Sequence, residues 1–272
     1  YDLMSSYGYY GGTAFYYGDV KGDDVQCRAQ SGRDSYKCYM FSHAANNLSS
    51  GYLWGRPWYT IRQASSIIAA IDKITDGTES ERNDYKGQAM AIRALAHFDL
   101  VKCFGYPYMK DNGASWGVPV IDHVLGVREN PNRNTVAECY EFITTQLETA
   151  IPLLSEAKNN GRMNRYAARA LLARAYLYCG QWQNAFDTAK ELIEEVKSNG
   201  VYRLTTNSEY IDSWSLENKF NNESLFEIAN LADDNEGKNS LAYYYHWWGY
   251  AELITTSDFA KELLSDPKDV RC

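Results

Sequence analysis

The side chains of this 272-residue chain that can do chemistry are, with one exception, dispersed. Its four histidines, His43, His97, His123 and His246, form no HExxH, and no GxSxG, P-loop or GxGxxG following a strand occurs. The usual arrangements for metal-assisted hydrolysis, acyl transfer and nucleotide binding are therefore missing. Six cysteines, at 27, 38, 103, 139, 179 and 272, form no CxxC pair and no Cys/His cluster, which argues against zinc and thioredoxin-type chemistry. Carboxylates are plentiful, yet no spacing nominates a glycosidase pair. The loop Asp233-Asp234-Asn235-Glu236-Gly237-Lys238-Asn239 clusters oxygen ligands suited to Ca²⁺. It lacks the EF-hand spacing and closing Glu, and Lys238 opposes a cation, so a solvated turn is expected. No catalytic residue, metal or cofactor is expected. The exception is aromatic. The run Tyr243-Tyr244-Tyr245-His246-Trp247-Trp248-Gly249-Tyr250 lies in a chain of 23 Tyr, 7 Trp and 9 Phe, 14% of all residues. Such rings are flat apolar faces with polar edges, useful both in cores and at wet binding surfaces.

Composition bounds the rest. The length fits one to two domains at about 150 residues each. The formal net charge of −8 argues against a general nucleic-acid binder, which needs Lys and Arg to displace counterions. The uncharged stretch from Lys37 to Arg56 is too polar for a bilayer helix. The chain opens at Tyr1 without an initiator Met or apolar leader, so any targeting peptide is expected to be already absent.

These side chains must be positioned by a mainly helical scaffold. Residues 1–50 are rich in Gly and Tyr without a sustained period, and irregular surface structure is expected. A first helix is predicted from about Tyr52 to Ile74, with Trp54, Trp58, Ile61, Ser65, Ile68 and Ile71 on one face. A second runs from about Asn83 to Phe104 and ends at Gly105. Then comes a connector, about Tyr106 to Arg133, long enough to suggest a functional or mobile loop. The third helix follows Val136, Tyr140, Ile143, Leu147, Ala150, Ile151 and Leu154, and Thr135 with Glu138 reads as a capping box. Residues 164–179 are apolar nearly all round, as in a helix between neighbours. After Gly180, Trp182, Ala185, Phe186, Ala189, Leu192, Ile193 and Val196 trace an amphipathic partner closed by Asn199-Gly200. This pair matches the tetratricopeptide pattern of about 34 residues per helix–turn–helix, and the second and third helices read as an earlier repeat. Beyond Gly200, extended segments are expected at Val201–Leu204 and Ser224–Ile228, a short helix near Ser208–Leu216, and a last helix at Ser257–Leu264. The tryptophans 54, 58 and 182 and the cysteines 103, 139 and 179 are expected in packed positions; Cys27 and Cys38 are either thiols or a disulfide.

Several of these segments together resemble the SusD/RagB family. GQAMAIRALAHFDLVKCFGYPY (Gly87–Tyr108) is similar to the family's "RA-aromatic-L…FG-x-P" helix, and GRMNRYAARALLARAYLYCGQWQNAFDTAKELI (Gly161–Ile193) to its second repeat. Trp58-Tyr59-x-Ile61 upstream, and Tyr202–Leu204, Tyr210 and NNESLFEI (Asn221–Ile228) downstream, stand in the family's order. The resemblance runs from about residue 20 to the end. It implies a single SusD-like domain over 1–272, with a loop-rich segment at 1–50, helical repeats at 52–200 and a mixed segment at 201–272. Members are typically longer, and Asp266–Arg271 resembles a mid-chain segment, so truncation at the C-terminus is expected.

The resemblance further implies an outer-membrane, cell-surface lipoprotein that binds an oligosaccharide without catalysis. Its partner would be a SusC-like TonB-dependent transporter, and its only membrane contact a lipid anchor absent from this chain. Sugar rings stack C–H faces on aromatic planes and pair hydroxyls with Asp, Asn, Arg and Tyr. The family's ligand regions correspond here to Asp23, Asp24, Arg28, Arg33, Tyr36 and Tyr39, and to Tyr243, Tyr244, Tyr245, Trp247 and Trp248. Trp116, in the long connector, is a runner-up that could equally contact the transporter. Core or interface packing is the competing reading of the aromatic run. The rival functions are a protein- or peptide-binding helical-repeat scaffold without sugar binding and a helical-repeat glycoside hydrolase.

Overall fold

The periodic stripes in the middle of the chain fold as the helices they specify. The computed structural model describes residues 1–28, 32–42, 44–158 and 160–271; His43 and Cys272 lie outside the described residues. In chain order the elements are α1 (Asp2–Ser5), α2 (Thr13–Asp19), β1 (Val25–Cys27), α3 (Asp34–Tyr39), α4 (Leu48–Ile71), α5 (Glu79–Phe104), α6 (Val136–Ala150), α7 (Arg165–Tyr178), α8 (Trp182–Asn199), α9 (Leu241–Tyr245), β2 (Leu253–Thr255) and α10 (Ser257–Leu263). They sort into two units. One comprises Tyr1–Arg56, Thr205–Lys219 and Ile228–Cys272, the other Pro57–Leu204 and Phe220–Glu227.

The second unit is a tetratricopeptide-like stack. Helix α5 packs on α6, α6 on α7 and α7 on α8. Small residues on α5 (Ala91, Ala94, Ala96) are fully buried beside Phe98 and Leu100, opposite Ile143 and Leu147 of α6. Small side chains let the helices approach and the large ones fill what remains. Capping boxes start two of them. Thr78 and Glu81 open α5, and Thr135 and Glu138 open α6, each side chain bonding the other's backbone N–H. At α7 the Asn164 side chain accepts from the Ala167 N–H and donates to the Tyr202 hydroxyl at 2.7 Å. Gly200, in the left-handed region at φ 69°, closes α8.

The long connector is anchored to this unit by two buried residues of α5. His97 Nε2 accepts from the Ile121 N–H at 3.1 Å, while Nδ1–H donates to the Arg93 carbonyl at 2.8 Å. Burial pushes the imidazole's pKa down to about 4, so it is neutral at pH 7. Arg93, 3% exposed, donates to the Asp122 carbonyl, Ser65 Oγ and Gln146 Oε1. Farther along, Gly117 comes so close to α6 that a Cβ there would sit 2.8 Å from Cys139 Sγ.

Several expectations are corrected. Residues 1–50 are not wholly irregular but contain α1, α2, α3, β1 and the start of α4, all too short or too Tyr-rich for a visible period. Val201–Leu204 and Ser224–Ile228 form no strand; Tyr202 packs instead on Tyr166 and Leu192. The helix expected near Ser208–Leu216 is replaced by 3₁₀ turns at Asp212–Trp214 and Leu216–Asn218. Cys103 is exposed, Trp54 is more than a third exposed, and Trp182 and Phe186 are more than half exposed. An amphipathic stripe says which face of a helix is apolar, not whether a neighbour covers it. Cys27 and Cys38 are unbridged thiols, both buried.

Candidate functional site

The first unit carries the Tyr-rich ends of the chain. Three-residue β1 pairs antiparallel with β2, Val25 opposite Thr255 and Cys27 opposite Leu253. The ladder is too short to hold alone and is backed by a core of Tyr16, Val20, Cys27, Cys38, Tyr244 and Leu253. Tyr244 is its centre. Its ring stacks on Tyr16 at 5.1 Å, and its hydroxyl bonds the Tyr7 hydroxyl at 2.9 Å. Burial, then the Tyr7 hydrogen bond, holds its phenol well above the ordinary tyrosine range.

The segment 243–250 folds back on itself. The Tyr250 N–H donates to the Tyr243 carbonyl at 2.7 Å, and a Cβ on Gly249 would lie 2.3 Å from that same oxygen. Only glycine allows this approach. The closure divides the aromatic run. Tyr244 points into the core and Tyr245 donates to Asp19, while Trp247 and Trp248 stand 75% and 74% exposed with ring centroids 5.1 Å apart. His246 stacks beside Trp247.

Next in the chain, Ala251 is buried and adopts φ 45°. Tyr250 and Glu252, on either side of this left-handed residue, both line one cavity. This cavity, about 480 Å³, is lined also by Tyr7, Arg33, Asp34, Ser35, Lys37, Asn46, Asn47, Asn239 and Tyr244. Glu252, 6% exposed, forms its charged floor. It accepts from Arg33 Nε at 2.7 Å, pairs with Arg33 Nη2, and accepts from Ser35 Oγ at 2.5 Å. The Glu252 hydrogen bond raises the Arg33 pKa, and the guanidinium lies 5.0 Å over the Tyr250 ring. Asp34 accepts from the Ser49 N–H at the start of α4 and faces Lys37 at 3.7 Å.

Of the residues singled out in the sequence, Arg33 and Tyr244 line this cavity, and Trp247 and Trp248 form an exposed pair in the same unit. Tyr243 packs on Tyr250. Tyr36, Tyr39 and Tyr245 pack against the core. Asp23 and Asp24 present backbone carbonyls to Thr256, and the Arg28 N–H donates to the Glu252 carbonyl. Trp116 belongs to the helical unit, where it is 63% exposed and bridges to Thr135. Sequence reasoning missed Tyr7, Asp34, Ser35, Lys37, Asn46, Asn47, Asn239, Tyr250 and Glu252 as cavity residues.

A second cavity lies in the helical unit, about 250 Å³, among Trp58, Tyr59, Ile61, Arg62, Ile121, His123 and Leu125. His123 bridges Asp122 at 2.7 Å and Glu129 at 2.9 Å, and those two carboxylates raise its pKa. Among the described residues no group of three His, Cys, Asp or Glu side chains is arranged to hold a metal, and no helix is long and apolar enough to cross a membrane.

A helical-repeat stack joined in one chain to a Tyr- and Trp-rich, mostly irregular unit defines a mainly α protein of the tetratricopeptide-like class. Within that class the chain belongs to the SusD-like family: the family model described as starch-binding, associating with outer membrane, matches residues 13–177. A SusD-like protein of Bacteroides ovatus is 30% identical over 192 residues, 67% of this chain and 33% of that protein. The crystal structure of a SusD superfamily protein from Bacteroides vulgatus is 52% identical, with a TM-score of 0.94 over 99% of this chain and 61% of that one. A candidate sugar-binding protein of the same organism is 40% identical, with a TM-score of 0.91 over 99% of this chain and 61% of that one. The chain thus spans about a third of the curated relative's length and under two thirds of the solved relatives it matches.

Proposed function

We propose that this chain is the ligand-bearing part of a non-catalytic, cell-surface protein that captures oligosaccharides for a SusC-like TonB-dependent outer-membrane transporter. Its membrane attachment would be a lipid anchor outside this chain. The observation that carries the reading is the pair Trp247 and Trp248, three-quarters exposed on a loop held shut by the Tyr250–Tyr243 hydrogen bond. Large apolar rings kept in water on a built loop suit C–H stacking against sugar faces. The Arg33, Asn46, Asn47 and Asn239 side chains of the cavity in the same unit supply edge-on partners for hydroxyls. The family's description as starch-binding and the candidate sugar-binding relative support the same ligand class. Tyr36, Tyr39, Tyr243 and Tyr245 would act beneath this surface by shaping it, and Asp23, Asp24 and Arg28 by holding the β1–β2 edge.

A purely protein-binding reading is favoured by one feature, the exposed stripe Trp182, Phe186 and Ile193 on α8. Calorimetry of the full-length protein against a panel of oligosaccharides separates the two. The Trp247→Ala and Trp248→Ala variants should each lose about tenfold in affinity, about 1.4 kcal/mol. No heat with any oligosaccharide would refute the sugar reading. Affinity purification from detergent-solubilised outer membranes should bring down a β-barrel transporter, and its absence would refute the partnership.

A further inference from the structure

Resting on the oligosaccharide reading, we infer that the Arg33–Glu252 cavity selects uncharged sugars and rejects uronates and sulfated sugars. The argument is one of charge already spent. Two cations line the cavity, and each faces a carboxylate. Arg33 is committed twice over to Glu252, whose second oxygen is taken by Ser35, and Lys37 faces Asp34 at 3.7 Å. The formal charge of the lining is therefore zero. An anionic sugar would find the Arg33 charge already balanced by Glu252, a carboxylate that is 6% exposed and repels it, and drawing Arg33 away would leave that charge buried and unpaired, which is strongly unfavourable.

The groups left over are neutral. Among the described residues, the Asn46 and Asn239 amides and the Tyr250 hydroxyl line the cavity without a hydrogen-bond partner. Each amide offers a donor and an acceptor, and a phenol offers both at one atom. That is the inventory a hydroxyl, itself donor and acceptor, can satisfy, whereas a carboxylate or sulfate accepts only. Arg33 also covers a face of the Tyr250 ring, so this residue contributes its hydroxyl edge to a ligand while Trp247 and Trp248 offer faces. The net charge of −8 adds a long-range bias against polyanions.

The test is calorimetry of the full-length protein with size-matched probes. Neutral gluco-, xylo- and manno-oligosaccharides are set against oligogalacturonides and chondroitin sulfate oligosaccharides, at low and physiological salt. At least one neutral probe should bind at least tenfold more tightly than every anionic probe. Combining Asn239→Ala with Tyr250→Phe should weaken that neutral probe by about tenfold or more at unchanged melting temperature. An anionic probe that binds as well as the best neutral one would overturn the inference and leave the oligosaccharide reading intact. So would a double variant that binds like wild type. If no probe of either class binds, the oligosaccharide reading fails and this inference with it.

Discussion

Acidification should destabilise the helical unit through one residue, His97. The side chain is fully buried, and both ring nitrogens are engaged, Nε2 by the Ile121 N–H and Nδ1–H by the Arg93 carbonyl. Its folded pKa of about 4 lies below the ordinary value of 6.5, with burial as the main cause. In the unfolded chain the imidazole takes up its proton near the ordinary value, so the unfolded state binds more protons between the two. Stability is therefore fully present above pH 6.5 and is lost as pH falls toward 4. At about 1.36 kcal/mol per pH unit the gap amounts to about 3 kcal/mol, with a limiting slope of about 1.4 kcal/mol per pH unit. The assay is urea unfolding from pH 7.5 to 4, for wild type and for His97→Gln, which keeps a donor and an acceptor but does not titrate. The variant will be less stable at pH 7.5 because its geometry differs. The quantity that matters is wild-type stability minus variant stability, which should fall by about 3 kcal/mol across the window. Parallel pH profiles for the two proteins would refute the reasoning, because the imidazole would then titrate alike in both states.

Other outcomes follow from the same geometry. Gly249→Ala should open the 243–250 loop, since its Cβ would sit 2.3 Å from the Tyr243 carbonyl; a fall in oligosaccharide affinity larger than that of Trp247→Ala is expected by calorimetry, and wild-type affinity would count against the loop's role. Asn164→Ala removes the α7 cap and leaves the buried Tyr202 hydroxyl short of a donor, so denaturant melts should show a loss of about 1–2 kcal/mol; a loss within error would mean water replaces the cap at no cost. Gly117→Ala forces a contact of 2.8 Å with Cys139 Sγ and should cost about 1–3 kcal/mol by the same melts, whereas an unchanged midpoint would show that the connector yields freely.

The helical unit was largely legible in the sequence because its signals are local. The Thr135–Glu138 capping box, the Gly105 and Gly200 stops and the stripe through Tyr140, Ile143 and Leu147 are each written within a few residues. What failed was coverage. Trp182 and Phe186 lie on a correct stripe but are more than half exposed, and Cys103 sits in a helix yet faces outward. The Tyr-rich unit is the opposite case. Its ladder pairs Val25 with Thr255, and its charged floor pairs Arg33 with Glu252, across more than two hundred residues. No period encodes such pairs. The aromatic run could be seen, but its division could not. Tyr244 inside and Trp247 and Trp248 outside follow from the loop closure at Gly249. One signal was available for the missed cavity residues: Asn46-Asn47 and Asn239 are amides flanking the regions that the family resemblance singled out.

The central claim, that the irregular unit holds a sugar on Trp247 and Trp248 and in the Arg33–Glu252 cavity, is tested most directly by a crystal structure of the full-length protein with the tightest-binding oligosaccharide. The account predicts a sugar ring lying flat on Trp247 or Trp248, with hydroxyls bonded to Asn46, Asn239 or Tyr250. An oligosaccharide seated on the helical unit, with that tryptophan pair and the cavity unoccupied, would contradict it.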